Sequence, residues 1–333
     1  MSNSGFKGPL FIVGLPRSGT KLLRDLLNQH PNIGMPNVET QFLPYWSRHW
    51  DKFGDLSNRE NFNYFYQAVI RLPYFITLSK NTQIISQEHW FSQCKSFDIP
   101  GIFEALIRHD VNAAFDSSII WGDKTPSYII HIPFLKSLFP NAKFIHIVRD
   151  VRDHCLSSNK AWGKNMVRAA VRWQERLVKF RLNLPLYQSD IHELKYENLL
   201  DNHDKELHKI CDFLALPFDP AILNLSKPSE NLGDAKGFES VVRSNKNKYQ
   251  TEMSSQLRNR IEGIAKSSLK YYGYPISYNG NVEHVGKFKI GLYRLMDGFN
   301  LVRFEMKEQG VFKAINFRWS LYKTSGNRPL ERS

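Results

Sequence analysis

The sequence is poor in cysteine, in long apolar runs and in negative charge. Its three cysteines, Cys94, Cys155 and Cys211, lie far apart without a Cys-x-x-Cys pair. This excludes a disulfide framework and a cysteine-based zinc cluster, and it favours a reducing compartment. No apolar run approaches the roughly 20 residues of a membrane-spanning helix, and the polar segment before residue 9 does not resemble a signal peptide. We therefore expect a cytoplasmic protein without a transmembrane anchor.

Acidic residues are the minority among the charged ones. The 333 residues include 45 Lys and Arg and 32 Asp and Glu, which gives a net charge of +13. This excess favours an anionic partner, whether a nucleotide, a nucleic acid, an acidic polymer or a lipid surface. Hydrophobic residues make up 42% of the chain, enough for the core of one large α/β domain or of two small ones.

A short apolar run ends at Val13 in a turn rich in glycine, proline and serine, and an amphipathic helix begins at Thr20. This order directs backbone N–H groups and the positive end of a helix at one point, which suits a phosphate or sulfate. Nucleotide hydrolases place Lys directly after the second glycine of such a loop, and then a hydroxyl that holds magnesium. Here Thr20 follows Gly19, and Lys21 comes only after it; Arg17 lies inside the loop. The order predicts an anionic nucleotide whose transferred group is not a magnesium-bound phosphate.

Further elements of a parallel α/β fold follow along the chain. The apolar-rich segment 143–148 predicts a strand, the segment 191–196 predicts a further one, and a helix at 131–139 supplies the connection that a parallel sheet requires. Helical periodicity predicts further helices, at 20–29, 60–71, 101–115, 165–181, 205–214 and 256–272. We interpret the irregular, aromatic-rich segment 41–120 as an insertion, and the polar segment 231–250, called the flap below, as a flexible loop.

Two basic surfaces are predicted. Arg168, Arg172 and Arg176 recur every four residues on the 165–181 helix, and we interpret them as a solvated face rather than as an anion site. Residues 284–333 contain ten Lys or Arg against four Asp or Glu. Their aromatic residues include Phe288, Tyr293, Phe299, Phe304, Phe312, Phe317 and Trp319. Such a tail either docks on an anionic membrane or polymer or packs on the main domain, and we favour packing.

Five motifs occur in a fixed order: G-L-P-R-S-G-T at 14–20, E-T at 39–40, G-D-K-T-P at 122–126, F-I-H-I-V-R-D at 144–150 followed by Ser157, and K-Y-E-N-L-L at 195–200. Over roughly residues 9–275 the set resembles the sulfotransferases that use 3′-phosphoadenosine 5′-phosphosulfate (PAPS), especially the tyrosylprotein sulfotransferases and their bacterial relatives. The resemblance implies an α/β fold with a P-loop-like parallel sheet flanked by helices. It implies a sulfotransferase domain at 1–278, in which 41–120 is a helical insertion on the acceptor side, and a basic aromatic extension at 279–333.

The resemblance implies PAPS as donor, 3′,5′-adenosine diphosphate (PAP) as product, and no metal. The loop that holds the 5′-phosphosulfate in the family matches Arg17, Ser18, Gly19, Thr20 and Lys21. Guanidinium, hydroxyl and amide donors suit a tetrahedral anion. Lys21 replaces the threonine that is common at its position. The sequence does not show whether its side chain points into the site or to solvent.

The 3′-phosphate clamp of the family matches Arg149 and Ser157, with Arg152 as a weaker candidate. The tyrosylprotein branch has a cation four residues after the clamp serine. This chain has Ala161 there, and the adjacent Lys160 is the alternative.

Tyr196 matches a tyrosine near the nucleotide; its other interpretation is a core tyrosine at the end of a strand. Within the flap, three residues resemble the family segment that closes over the nucleotide: Arg243, Ser244 and Lys248. The histidines show no metal-ligand spacing, so structural roles are expected for them.

The catalytic residues implied by the resemblance are Glu39, Lys124 and Arg17. Sulfuryl transfer needs a base for the acceptor proton and a cation where charge develops on the leaving phosphate. Glu39 matches the glutamate base of the tyrosylprotein branch, and Lys124 matches the lysine that stabilises the bridging oxygen. Arg17 can share the role of Lys124.

The function implied is sulfuryl transfer from PAPS to a hydroxyl, with an amine less favoured. A saccharide, a glycolipid, a peptide tyrosine and a small alcohol all stay open as acceptors, and the basic composition favours a saccharide. Two alternatives stay open. One is a P-loop nucleotide-dependent phosphotransferase, and the other is a basic protein that binds nucleic acid or a membrane surface. Without a recognised nucleic-acid motif we expect no nucleic-acid partner, and we retain peripheral membrane contact through the tail.

Overall fold

A five-stranded parallel sheet forms the centre of the computed structural model, which describes residues 6, 8–80, 82–115, 117–311 and 319. The strands lie in the spatial order β2-β3-β1-β4-β5, and all neighbours pair in parallel. Their bounds are β1 Leu10–Gly14, β2 Ile33–Gly34, β3 Ile120–Lys124, β4 Lys143–Val148 and β5 Ile191–Lys195. Parallel strands need crossover connections, and helices supply them here. The predicted α/β fold is confirmed.

Both faces of the sheet are covered by helices. Along β1, the side chains of Phe11 and Val13 enter one core, and those of Leu10 and Ile12 enter the other. All four are fully buried, which explains why this strand is a continuous apolar run. In the first part of the chain the helices are α1 Thr20–Leu27, α2 Leu43–His49, α3 Arg59–Val69, α4 Pro73–Leu78, α5 Gln87–Gln93, α6 Ile99–Asp110 and α7 Ile132–Leu138. In the second part they are α8 Val151–Trp162, α9 Met166–Asn183, α10 Tyr196–Asp201, α11 His203–Leu214, α12 Tyr249–Glu252, α13 Ser255–Tyr271 and α14 Lys287–Gln309.

The segment between β2 and β3 is more regular than its sequence suggested. Where the sequence pattern is irregular, the structure has the helices α2 to α6. They enclose a cluster of buried aromatic rings, with Trp46 stacked on Phe42 at 4.3 Å between centroids and Trp90 beside Phe65 at 5.7 Å. Aromatic rings of this size let short helices build a core from a few buried side chains each, as Trp90 does for α5.

The predicted solvated face of α9 is wrong for Arg176, which is buried. Burial and the neighbouring Arg172 lower the pKa of Arg176 to about 9. Asp297 of α14 accepts a hydrogen bond from the backbone N–H of Asn165 at 2.7 Å and forms an ion pair with Arg168. The positive charge of α9 is therefore partly enclosed between two helices.

The expected packing of the tail aromatics holds only in part. Tyr293 packs against the main core, whereas Phe288 and Phe299 are exposed. Phe312 and Phe317 lie outside the described residues. Among the helices that the structure describes, none has both the length and the apolarity to cross a membrane.

Candidate functional site

The motif residues converge at one edge of the sheet because parallel strands end on the same side. Gly14, at the end of β1, pairs with Ile147 of β4, and Ile12 pairs with Lys124, the last residue of β3. Arg149 follows β4 and Tyr196 follows β5 directly. Loops that are far apart in sequence thus meet at the carboxyl edge.

The loop after β1 has a strained backbone that glycine relieves at one position. Gly19 caps α1 with φ of 91°, and a Cβ atom there would lie 2.3 Å from the Tyr196 ring. Arg17 also has positive φ, at 73°, so its side chain leaves the loop in a direction that regular backbone would not allow. Ser18 is fully buried, and its hydroxyl has no hydrogen-bond partner among the described residues. A buried free hydroxyl beside a helix N-terminus fits an anion site.

The Arg17 guanidinium connects three parts of the chain. Its Nε donates to Ser157 Oγ of α8 at 3.1 Å, and its terminal nitrogens bind the Glu230 carboxylate and the Leu232 carbonyl, both at 2.9 Å. Ser157, matched to the 3′-phosphate clamp, therefore touches the loop matched to the 5′-phosphosulfate. The two halves of the predicted donor site are one contiguous cluster.

Arg149 lies between this loop and the flap. Its guanidinium donates to the Arg17 carbonyl at 3.2 Å and to the Asn245 carbonyl at 3.0 Å, and it stacks 4.5 Å above the Tyr196 ring. Asn245 also donates to the Tyr196 hydroxyl at 2.9 Å. Burial raises the pKa of Tyr196, so this phenol is a neutral hydrogen-bonding group at neutral pH.

Glu39 and Lys124 form an ion pair at 2.6 Å, with Lys124 buried and the Glu39 side chain 30% exposed. The second carboxylate oxygen of Glu39 accepts from Gln41 Nε2 at 2.7 Å. The neighbouring Thr40 fixes this segment to β3, because its hydroxyl donates to Asp123 at 2.9 Å. Burial raises the pKa of Asp123 to about 6, against hydrogen bonds that lower it. One carboxylate, Asp123, is thus an anchor, and the other, Glu39, reaches the surface of the site.

Lys21 is half-buried. Its burial lowers its pKa, Glu230 acts in the opposite direction, and Lys124 adds to the lowering.

The flap residues named by the resemblance differ in position. Lys248 pairs with Asp234 at 2.6 Å, and Lys160 pairs with the same carboxylate at 2.9 Å. Arg243 and Ser244 are exposed. Lys160 also pairs with Glu252 at 2.8 Å, so it is held against the flap.

Arg152 lies beneath this site in a structural role. It is buried and pairs with Asp150 at 2.6 Å and with Glu262 at 2.5 Å. Its guanidinium also stacks 3.9 Å from the Tyr249 ring. These contacts join α8, α12 and α13 under the carboxyl edge.

Sequence reasoning missed Glu230, Asn245 and Asp123. Asn245 stands directly after the flap motif residue Ser244, and Asp123 stands inside the G-D-K-T-P motif, so position in a motif was an available signal for both. Glu230 precedes the flap and carries no motif. Its position in the site depends on a hydrogen bond with Arg17, which lies 213 residues earlier in the sequence.

Across the described ranges, no three His, Cys, Asp or Glu side chains come together as metal ligands. Two histidines have structural contacts instead. The His30 ring bonds the Pro217 carbonyl at 2.9 Å, and His146 lies 4.0 Å from the Phe180 ring.

The arrangement is similar to known sulfotransferase structures. The sulfotransferase domain from the curacin biosynthetic pathway superposes with a TM-score of 0.56 at 20% identity, covering 82% of this chain and 100% of that domain. The sulfotransferase domain from the Synechococcus PCC 7002 olefin synthase gives a TM-score of 0.54 at 23% identity, over 83% of this chain and 98% of that domain. At these low sequence identities, the structural similarity shows that the chain shares the fold of these domains.

Sequence comparison supplies the family. Protein-tyrosine sulfotransferase 1 of Danio rerio is 26% identical over 68% of this chain and 58% of its own length. Nodulation protein NoeE of Sinorhizobium fredii is 26% identical over 63% of this chain and 50% of its own length. The chain thus spans only about half of these two relatives. The model of the sulfotransferase family matches residues 9–220, nearly two thirds of the chain, and the chain therefore belongs to the sulfotransferase family.

Proposed function

We propose that this sulfotransferase moves a sulfuryl group from PAPS to an acceptor hydroxyl. The observation that supports this most directly is the cluster of Arg17, Arg149 and Ser157, together with the buried, unpartnered Ser18 hydroxyl at the N-terminus of α1. Two arginines on neighbouring strand ends suit a nucleotide with phosphate groups at both its 5′ and 3′ positions.

The donor-binding residues that we propose divide into two groups. Arg17 and the N-terminus of α1 hold the 5′-phosphosulfate, with hydroxyl and amide donors from Ser18, Gly19 and Thr20 and positive charge from Lys21. Arg149 and Ser157 hold the 3′-phosphate. Tyr196, packed against Gly19 and Arg149, shapes the space between them.

The proposed reaction is a single in-line displacement. The Glu39 carboxylate takes the proton of the acceptor hydroxyl, and the acceptor oxygen forms a bond to sulfur. The bond from sulfur to the bridging oxygen breaks, and both its electrons stay on the 5′-phosphate of PAP. Lys124 and Arg17 stabilise this developing charge. The exposed part of the Glu39 carboxylate gives the acceptor access, while Lys124 beside it is buried.

The acceptor that we propose is a hydroxyl compound, with a saccharide first, and with glycolipid, peptide and small alcohols as alternatives. The name of one relative specifies protein tyrosine, and that of another specifies nodulation. Helices α2 to α6 adjoin Glu39 in sequence and form the acceptor side in this proposal. Transfer of labelled sulfuryl to a panel of these acceptors is the measurement that selects among them.

Binding of PAP, measured by isothermal titration calorimetry, tests the donor proposal. We expect micromolar affinity that survives chelation of divalent metals. Arg149→Ala should weaken it by about 30- to 150-fold, because a charged hydrogen-bonding partner of a phosphate is lost. Arg260→Ala is the matched control, since the pair of Arg260 with Glu283 at 3.9 Å lies at the surface. A preference for ATP that depends strictly on magnesium would support the phosphotransferase alternative instead.

Glu230→Gln is expected to tighten PAP binding by about three- to tenfold. The Glu230 carboxylate occupies the Arg17 guanidinium at 2.9 Å and competes there with an incoming anion. The cavity lined by Arg17, Arg149 and Ser157 measures only about 20 Å³, and flap residues such as Asn245 also line it, so we expect the flap to open when a nucleotide enters. Glu239→Gln, an exposed change in the same flap, is the control. Weaker binding by Glu230→Gln would mean that Glu230 helps to hold the donor.

A further inference from the structure

The outer face of α14 is an exposed apolar stripe. Its members recur at intervals of three, four and seven residues, which places them on one side of a helix. They are between 37% and 87% exposed: Phe288, Leu292, Leu295, Met296, Phe299 and Met306. Isolated apolar side chains on a surface are ordinary, but a contiguous stripe of this length marks an interaction surface.

The opposite face of α14 fixes the direction of the stripe. Asp297 is buried and binds both the Asn165 backbone N–H at 2.7 Å and the Arg168 guanidinium. One turn further on, Asn300 Nδ2 donates to the Gly163 carbonyl at 2.7 Å. These polar contacts join α14 to the loop between α8 and α9, and the stripe therefore faces away from the body of the protein.

The charges beside the stripe are positive. Lys287, Lys289 and Arg303 are exposed on the same helix. Over the whole of α14, Lys287–Gln309, the sequence has five Lys or Arg against three Asp or Glu, and one of the three, Asp297, is buried on the opposite face. The chain as a whole carries +13, so its attraction to an anionic surface adds to the local charge.

We propose that α14 docks the protein on an anionic lipid surface, with the stripe inserted at the headgroup boundary and the flanking cations on the headgroups. An amphipathic helix that combines apolar and basic side chains in this way lies in the membrane interface. A second copy of the chain fits the stripe less well. Its rows of Lys and Arg would face those of the first copy, whereas anionic headgroups neutralise them.

Co-sedimentation of the full chain with lipid vesicles tests this proposal. We expect binding to phosphatidylcholine vesicles that contain phosphatidylserine, weak binding to phosphatidylcholine alone, and loss of binding as salt rises. Leu295→Glu combined with Phe299→Glu should reduce binding by at least about tenfold, because charge in the stripe opposes insertion. Leu182→Glu combined with Leu186→Glu is the matched control, since both residues are highly exposed outside α14.

A second pair of variants separates charge from insertion. Lys289→Gln combined with Arg303→Gln should weaken binding to anionic vesicles and flatten its salt dependence, while PAP binding stays unchanged. PAP titration and thermal unfolding of all variants verify that the fold is intact. Equal vesicle binding by wild type and the Leu295/Phe299 variant would overturn the proposal. A dimer in light scattering that this variant converts to a monomer, without vesicle binding by wild type, would assign the stripe to a second copy.

Discussion

Glu39→Gln is expected to lower kcat by about 10²- to 10⁴-fold, the usual contribution of a positioned general base. Glutamine keeps the size and hydrogen-bonding capacity of the side chain but cannot take the acceptor proton. The ion pair with Lys124 at 2.6 Å is lost, while Thr40 still anchors the segment to Asp123. PAP affinity should therefore stay nearly unchanged, and the defect should appear in turnover.

Steady-state transfer of labelled sulfuryl, together with PAP titration, measures this effect. Glu60→Gln is a suitable control because Glu60 is exposed in the first turn of α3. Turnover equal to that of the wild type would remove Glu39 from the proton transfer. A parallel loss of PAP affinity would instead indicate that Glu39 organises the donor site.

Glu262→Ala is expected to lower the free energy of unfolding by about 3–5 kcal/mol, the usual effect of removing one partner of a buried ion pair. Glu262 is fully buried. It pairs with Arg152 at 2.5 Å and accepts hydrogen bonds from the backbone N–H groups of Ser277 and Tyr278, both at 2.8 Å. Its removal leaves Arg152 with Asp150 as its remaining carboxylate partner and takes away the acceptor of the Ser277 and Tyr278 N–H groups.

Urea denaturation of wild type and variant measures this difference. Glu283→Ala is the control, because its pair with Arg260 at 3.9 Å lies at the surface and is worth at most about 1 kcal/mol. A loss below about 1 kcal/mol for Glu262→Ala would contradict the buried-pair interpretation. Arg152 would then be available again as a weaker candidate for the 3′-phosphate clamp.

The sequence predicted β1, β4 and β5, and it missed β2 and β3, the second of which carries Asp123 and Lys124 to the site. β1 and β4 are continuous apolar runs because both of their faces are buried. β3 begins with Ile120 and Trp121 but ends with Asp123 and Lys124. These polar residues belong to the edge of the site, so the strand has no apolar pattern along its full length.

The candidate site divides in a similar way. Three site residues stand at the ends of strands or in the adjoining turns: Arg17, Lys124 and Arg149. Their positions can be predicted because each belongs to a sequence motif and parallel strands end at one edge of the sheet. Asn245 reaches the site through the flap, and Glu230 reaches it from the residue just before the flap; their contacts with Arg149 and Arg17 form only in the folded chain. No local pattern encodes such contacts. The α14 helix was missed as well, because apolar residues surround it on both its packed and its exposed side.

The hydrogen bond from the Arg149 guanidinium to the Arg17 carbonyl at 3.2 Å has a thermodynamic consequence. It ties the residue proposed for one phosphate to the backbone of the residue proposed for the other. Free-energy changes from substitutions at these two positions should therefore not add, as is usual for residues that share a partner. A nucleotide lacking either phosphate would bind less tightly than the sum of separate contributions suggests, so this contact makes recognition of the donor cooperative between its two ends.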